Sequence, residues 1–255
     1  MLYKRKNLES GMDRKYLEWT VPLIIFFLSV LFGLRGTNLA LGLFLALLTY
    51  LSLRIFRYKN RLRSRDYIVA ATGSAFSTIL GFLPPLFLTP WGMRIDFVAL
   101  PWIIIWLYSG LETALLSAVL SIPMVGYLEP GGGGWIGGIM KFLASIWMIV
   151  IPELLSRGKH SGLRFRVGLV AAIIVRSIAM IIFNYYFAIP LFFGLDPSLV
   201  ITQFERGLAC MKIIGFSGVV LFIVEIIVWN TVQGFIDVFF SLLIYRGIAE
   251  RQKLE

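Results

Sequence analysis

Apolar residues fall into long blocks, at 19–34, 39–53, 67–88, 95–108, 113–128, 135–155, 167–190 and 213–245, separated by short stretches rich in Arg, Lys, Gly or Pro. Blocks this long, with no strict polar alternation, predict membrane-spanning helices rather than strands. The run from 95 to 128 is apolar throughout, yet as one helix its 34 residues reach roughly 51 Å at ~1.5 Å per residue, against a hydrocarbon core of ~30 Å. It must fold back, and Ser109-Gly110 is the natural break. The count is then eight crossings.

Charge tests this plan. Of the 24 Lys and Arg residues, 18 fall in four clusters: five in 1–18, six in 54–65, four in 157–166 and three in 246–255. Basic loops stay on the cytoplasmic side of a membrane, so an even number of crossings must separate each pair of clusters. Between 65 and 157 this holds only if the 95–128 run crosses twice. The same parity makes 213–245 a single crossing whose excess near Gly215 and Gly218 lies outside or tilts. Outer loops are expected at 89–94, 129–134 and 191–212, with both termini cytoplasmic. The chain divides into an N-terminal transmembrane hairpin with a basic linker (1–65) and a six-helix membrane domain (66–250).

Composition narrows the class. With 58% hydrophobic and 15% charged residues and a mean hydropathy of +0.84, the chain reads as an all-α integral membrane protein of the cell membrane. Its net charge of +10 lies between apolar spans, which argues against a nucleic-acid partner and for the lipid bilayer. A single Cys210 and a single His160 leave no disulfide within the chain and no metal or haem cluster. His160 is read as a solvated loop residue. Residues 1–18 lack a cleavage-site pattern, so the first span is expected to serve as an anchor. Neither HExxH, GxSxG nor a Walker lysine after the Gly131–Gly134 tetrad is present, and no catalytic set or cofactor site is predicted.

Polar residues inside the spans carry the remaining information. Lys141 lies about 9 Å below Trp135 and Asn184 about 9 Å below Pro190, while Asn230 and Gln233 lie roughly 24 and 20 Å above Arg246, at ~1.5 Å per residue. Three helices thus place polar groups in one outer layer. Such groups are costly in lipid and mark either a solute site open to the outside or interhelical hydrogen bonding. Arg176 and Asp237, each about 14 Å from the basic end of its helix on the same ~1.5 Å rise, form a candidate buried ion pair, as a structural clamp or a relay. Glu225 and Glu129 fall near the outer surface, solvated or lining the entrance, and Glu112 and Glu153 near the inner one, where they are read as wet. Ala71-x-x-x-Ala75 places small residues on one face of the first core helix, for internal packing or a partner. Trp91, Trp135, Tyr185 and Phe187 are available to stack on a planar solute or to sit in the interfacial belt.

Four blocks in register carry a resemblance. Met93-Arg94-Ile95-Asp96-Phe97 with Pro101 resembles a "K-I-D-F-S-D-I-P" helix entry. GGIMKFLAS at 137–145 resembles "G-E-L-A-N-F-L-A-G", NYYFAIPLFFG at 184–194 resembles "N-Y-F-x-x-L-P-L-Y-G", and WNTVQGFIDVFFSLLIYR at 229–246 resembles a closing helix "F-N-L-I-K-G…L-Y-K-R". These belong to the substrate-binding S components of energy-coupling factor (ECF) vitamin transporters, notably the riboflavin-binding type, over residues 66–247. The resemblance implies a six-helix bundle, not an enzyme, that binds a vitamin from the outer side and works with a scaffold transmembrane subunit and two cytoplasmic ATPases. It implies ligand contacts at Asp96, Lys141, Asn184, Asn230 and Gln233, and docking on the scaffold through Ala71 and Ala75. Val98, Lys141 and Gln233 stand where the family has serine, asparagine and lysine, and residues 1–65 have no counterpart in its usual plan.

The leading reading is therefore a binding subunit for riboflavin or a related small heteroaromatic solute. A membrane-embedded scaffold whose polar layer only locks helices is the alternative, and an enzyme using Lys141 or Glu129 lacks a second catalytic group.

Overall fold

The computed structural model describes residues 62–128 and 133–251. The expected spans at 19–34 and 39–53, the basic linker up to residue 61 and Glu129 lie outside the described residues. The rest is helical: α1 (Ser64–Gly81), α2 (Leu100–Ser109), α3 (Leu111–Leu128), α4 (Gly134–Ser145), α5 (Trp147–Ser156), α6 (Gly162–Phe183), the short α7 (Ile189–Phe193) and α8 (Val200–Gln203), and α9 (Gly218–Arg251). Four stretches, Leu111–Leu128, Gly134–Ser156, Gly162–Phe193 and Gly218–Arg251, are long and apolar enough to cross a membrane, and α1 and the shorter α2 complete a six-helix membrane bundle.

The fold-back falls at Gly110. Its φ of 93° ends α2, and α3 starts at the next residue. This positive φ costs glycine little and strains other residues, so the reversal is written in one position. At the other end of α2, Asp96 Oδ1 accepts from the Val98 backbone N–H at 3.1 Å and Pro101 stands in the first helical turn.

The 67–88 block ends its helix early. α1 stops at Gly81, because Pro84 and Pro85 supply no backbone donors and bias the chain before them away from helix. The apolar residues beyond instead form a hairpin, with β1 (Phe87–Leu88) antiparallel to β2 (Arg94–Ile95) in the register Phe87↔Ile95 and Leu88↔Arg94. Hydrophobicity alone extends the span to Leu88. The 213–245 block starts its single helix later, at Gly218, and runs to Arg251. Its 34 residues span roughly 51 Å at ~1.5 Å per residue, well beyond one hydrocarbon thickness.

Packing follows small residues. α3 and α4 meet where a Cβ on Gly138 would stand 2.3 Å from the Ile122 carbonyl oxygen and one on Gly126 2.5 Å from that of Gly134. Backbones approach this closely only without side chains between them. The core holds Trp102, Trp106, Phe142, Phe187, Phe204 and Phe222, while Val167, Val170, Ile174 and Ile178 are exposed along one face of α6. Spaced three and four apart, they form an outward apolar stripe suited to lipid.

Candidate functional site

The hairpin, α4, α6 and α9 enclose a cavity of about 310 Å³, within the range of about 300–1,000 Å³ usual for small-molecule sites. Asp96, Lys141, Arg176, Asn184, Asn230 and Gln233 all line it, among apolar walls that include Met140, Met180 and Phe192. Helical periodicity brings part of this set together. Asn230, Gln233 and Asp237 stand at i, i+3 and i+7 on α9, one face of one helix.

The polar groups form one network. Lys141 Nζ donates to Asp96 Oδ2. Gln233 Oε1 accepts from the Asp96 backbone N–H at 3.0 Å, and its Nε2 donates to the Asp96 carbonyl at 2.8 Å and to Asp237 Oδ1 at 2.7 Å. Asp237 Oδ2 accepts from Arg176 Nη1 at 2.8 Å, and Arg176 Nε reaches Asn230 Oδ1 at 3.4 Å. Arg176, Asn184, Asn230 and Asp237 are all at most 2% exposed. Ions this deep persist because each charge has an opposite partner and hydrogen bonds, and removing one partner strands the other.

Asn184 sits where α6 widens into a π-helical turn, Asn184–Ala188. The cause is local, since Pro190 lacks an N–H and its ring crowds the carbonyl four residues back, which the wider turn relieves. Asn184 Nδ2 donates to the Met180 carbonyl at 2.8 Å, so its Oδ1 is turned away from its own helix.

Over the cavity lies the hairpin. Trp91, 3% exposed, lines it and donates from Nε1 to Glu225 Oε1 at 3.2 Å, and Phe87 stacks on Trp229 at 4.4 Å between centroids. Glu225 also accepts from Trp229 Nε1 at 2.8 Å and from the Met211 backbone N–H at 2.7 Å. One carboxylate thus ties the hairpin, the 211–214 turn and α9.

These positions correct several expectations. Glu225 is fully buried, neither solvated nor on the cavity wall, because three donors replace its water. Lys141, Asn230 and Gln233 of the expected outer layer are joined through Asp96 and the Arg176–Asp237 pair in one network, while Asn184 bonds within its own helix. Arg176 lines the same cavity, as its long side chain covers the helical rise between layers. Gln233 reaches the cavity wall, but its amide is spent on Asp96 and Asp237. Among the four aromatics considered for stacking only Trp91 lines the cavity. Trp135 packs edge-on against Phe187, and Tyr185 against Phe222. At the opposite end, Glu153 and His160 are half-buried, not wet: Trp106 Nε1 donates to Glu153 Oε2 at 2.8 Å, and the His160 ring meets Trp106 edge-on at 4.8 Å. Glu112, half-buried, opens α3. Ala71 is exposed and Ala75 half-buried on α1, whereas Gly73 and Ser74 between them face the interior. What sequence reasoning missed, the Glu225 anchor, had one signal in the Glu225–Trp229 spacing of i, i+4. Its longer-range donors left none.

The comparisons agree with this fold. No curated protein matches the chain. A solved structure described as "Structure and mechanism of the S component of a bacterial ECF transporter" superposes with a TM-score of 0.57 at 22% identity, covering 75% of this chain and 99% of that one. At that identity the likeness speaks for the fold. The family of ECF transporter, substrate-specific component, matches residues 65–245, most of the chain and all six helices of the bundle. The chain belongs to the substrate-specific components of ECF transporters.

Proposed function

We propose that this protein is the solute-binding subunit of an ECF-type vitamin importer and takes riboflavin or a related small heteroaromatic compound from the outer side of the cell membrane. The observation that carries this reading is the convergence of six polar side chains from the hairpin, α4, α6 and α9 on one cavity of about 310 Å³. Its mixed lining, mostly apolar with a few placed polar groups, suits a flat ring with polar edges. Asp96, Lys141, Asn184 and Asn230 are the ligand-facing residues. Gln233 supports them by holding Asp96.

The basic residues at 157–166 and at the end of α9 support a cytoplasmic placement of those ends, which opens the cavity outward. The exposed Ala71 and the neighbouring Ala75 are the docking face for a scaffold transmembrane subunit that couples the protein to two cytoplasmic ATPases.

The test is purification of the full chain, mass spectrometry of any co-purifying small molecule, and titration with riboflavin followed by flavin fluorescence. Quenching at submicromolar protein or a bound vitamin-like mass is the expected result. No binding of a flavin or any other vitamin at micromolar concentration overturns the proposal.

A further inference from the structure

Two groups on the cavity wall have no hydrogen-bond partner among the described residues. Arg176 is 2% exposed and lines the cavity, with Nη1 on Asp237 and Nε on Asn230. Among the described residues its Nη2 has no acceptor, although an ionised guanidinium carries five donors. Asn184, also 2% exposed and on the cavity wall, uses Nδ2 on the Met180 carbonyl, while its Oδ1 accepts from no described residue. The neighbouring carbonyl orients this amide, since only the nitrogen can donate to it.

Three other polar side chains of the wall have partners. Gln233 is saturated by Asp96 and Asp237. Asn230 Nδ2 faces the Ile226 carbonyl and Met93 Sδ, with Oδ1 on Arg176. Asp96 is held by Lys141 and the Val98 N–H. Arg176 Nη2 and Asn184 Oδ1 thus stand as an open donor and an open acceptor on the cavity wall, eight residues apart in the chain, roughly 12 Å at ~1.5 Å per residue. Arg176 is matched by Asp237, so the buried end offers a hydrogen bond without surplus charge.

Resting on the reading of this cavity as the solute site, we infer that Arg176 is a specificity-determining contact as well as a clamp. Its Nη2 donates to a carbonyl oxygen at the buried end of an elongated, neutral ring compound whose other end presents an N–H or O–H to Asn184 Oδ1. A neutral carbonyl fits better than a carboxylate, which would bring an uncompensated charge.

The experiment compares riboflavin binding, by flavin fluorescence, to the full-length wild type and to Arg176→Met/Asp237→Asn. The double substitution removes the guanidinium without stranding a buried carboxylate, and the amide oxygen introduced by Asp237→Asn still accepts from Gln233. The expected result is a folded protein, by thermal melting, with affinity lowered about 10- to 100-fold, the weight of a hydrogen bond from a charged donor. A folded double variant binding within about threefold of wild type overturns the inference.

A second measurement needs no variant. Wild type is titrated with 2-thio- and 4-thioriboflavin, in which sulfur, a poor acceptor, replaces one ring carbonyl oxygen. One of the two is expected to bind about tenfold more weakly than riboflavin, and the double variant is expected to lose that discrimination. Equal binding of all three to wild type overturns the inference even if the double variant does not fold. Failure of wild type to bind riboflavin at all is a different result, which overturns the proposed solute and this inference with it.

Discussion

Gln233 grips both sides of one residue far away in sequence: its Oε1 accepts from the Asp96 N–H at 3.0 Å and its Nε2 donates to the Asp96 carbonyl at 2.8 Å. This clamp joins α9 to the chain between the hairpin and α2, and the same Nε2 reaches Asp237 Oδ1 at 2.7 Å. The Asp96 carboxylate is thereby held against Lys141 on α4.

Replacing Gln233 with Ala strands both Asp96 peptide groups and one Asp237 oxygen in a buried setting. Each unsatisfied group costs about 1–3 kcal/mol, so a large fall in thermal stability is expected in detergent or nanodiscs. Gln233→Glu is expected to be worse, since it places a third carboxylate beside Asp96 and Asp237. Unchanged melting of both variants would falsify the clamp.

Glu225 should control the outer cover. In Glu225→Ala, Trp91, Trp229 and the Met211 N–H lose their shared acceptor. Faster proteolysis within 204–217 and a red-shifted tryptophan emission are expected. Resistance equal to wild type would show that Phe87 stacking on Trp229 suffices to hold the cover.

Cys210, outside the membrane-spanning helices, gives a pH readout of the same contact. Burial first, and then the Glu225 carboxylate beside it, push its thiol pKa up. A raised thiol pKa means less thiolate at a given pH, so maleimide labelling is expected to be slow at neutral pH and to climb as pH rises. Glu225→Gln removes the nearby negative charge and should speed labelling at fixed pH. Equal rates in the two proteins would argue against the coupling.

At the crossing of α3 and α4, Gly138→Val is expected to destabilise strongly, because its Cβ would stand 2.3 Å from the Ile122 carbonyl oxygen. Overpacking of this kind costs about 1–3 kcal/mol or more when the obstacle is backbone. Gly247→Ala, late in α9 where a Cβ would meet nothing within 4 Å, is the control. A melting temperature for Gly138→Val equal to that of the control would exclude the close approach.

On α1, Ala71→Trp with Ala75→Trp tests the proposed scaffold contact. Both side chains point away from the buried face formed by Gly73, Ser74 and Ser77. The isolated protein is expected to keep its stability and riboflavin affinity while losing association with scaffold and ATPases in pull-down. Retained association would place docking elsewhere.

The sequence by itself determined the membrane class, the order of the six core helices and the reversal at Gly110, because span length, loop charge and a glycine at a turn are local or one-dimensional properties. It also brought Lys141, Arg176, Asn184, Asn230, Gln233 and Asp237 forward, since ionisable and amide groups inside apolar blocks need partners, and Asp96 through the resemblance of its motif to the family's helix entry. Only the tertiary structure decided which partners they have. Helical rise separated Arg176 from the outer layer, but a flexible Arg stem spans that gap. Helical rise placed Gln233 in the polar layer, yet only packing against the Asp96 turn shows that its amide is used up. Hydropathy cannot distinguish a helix from the hairpin at 87–95, where two prolines and cross-strand pairing decide, nor could it foresee that Glu225 finds three donors from three segments. Contacts between residues so distant in the chain exist only once the helices have packed, which is why the cavity and its open donor and acceptor were legible only there.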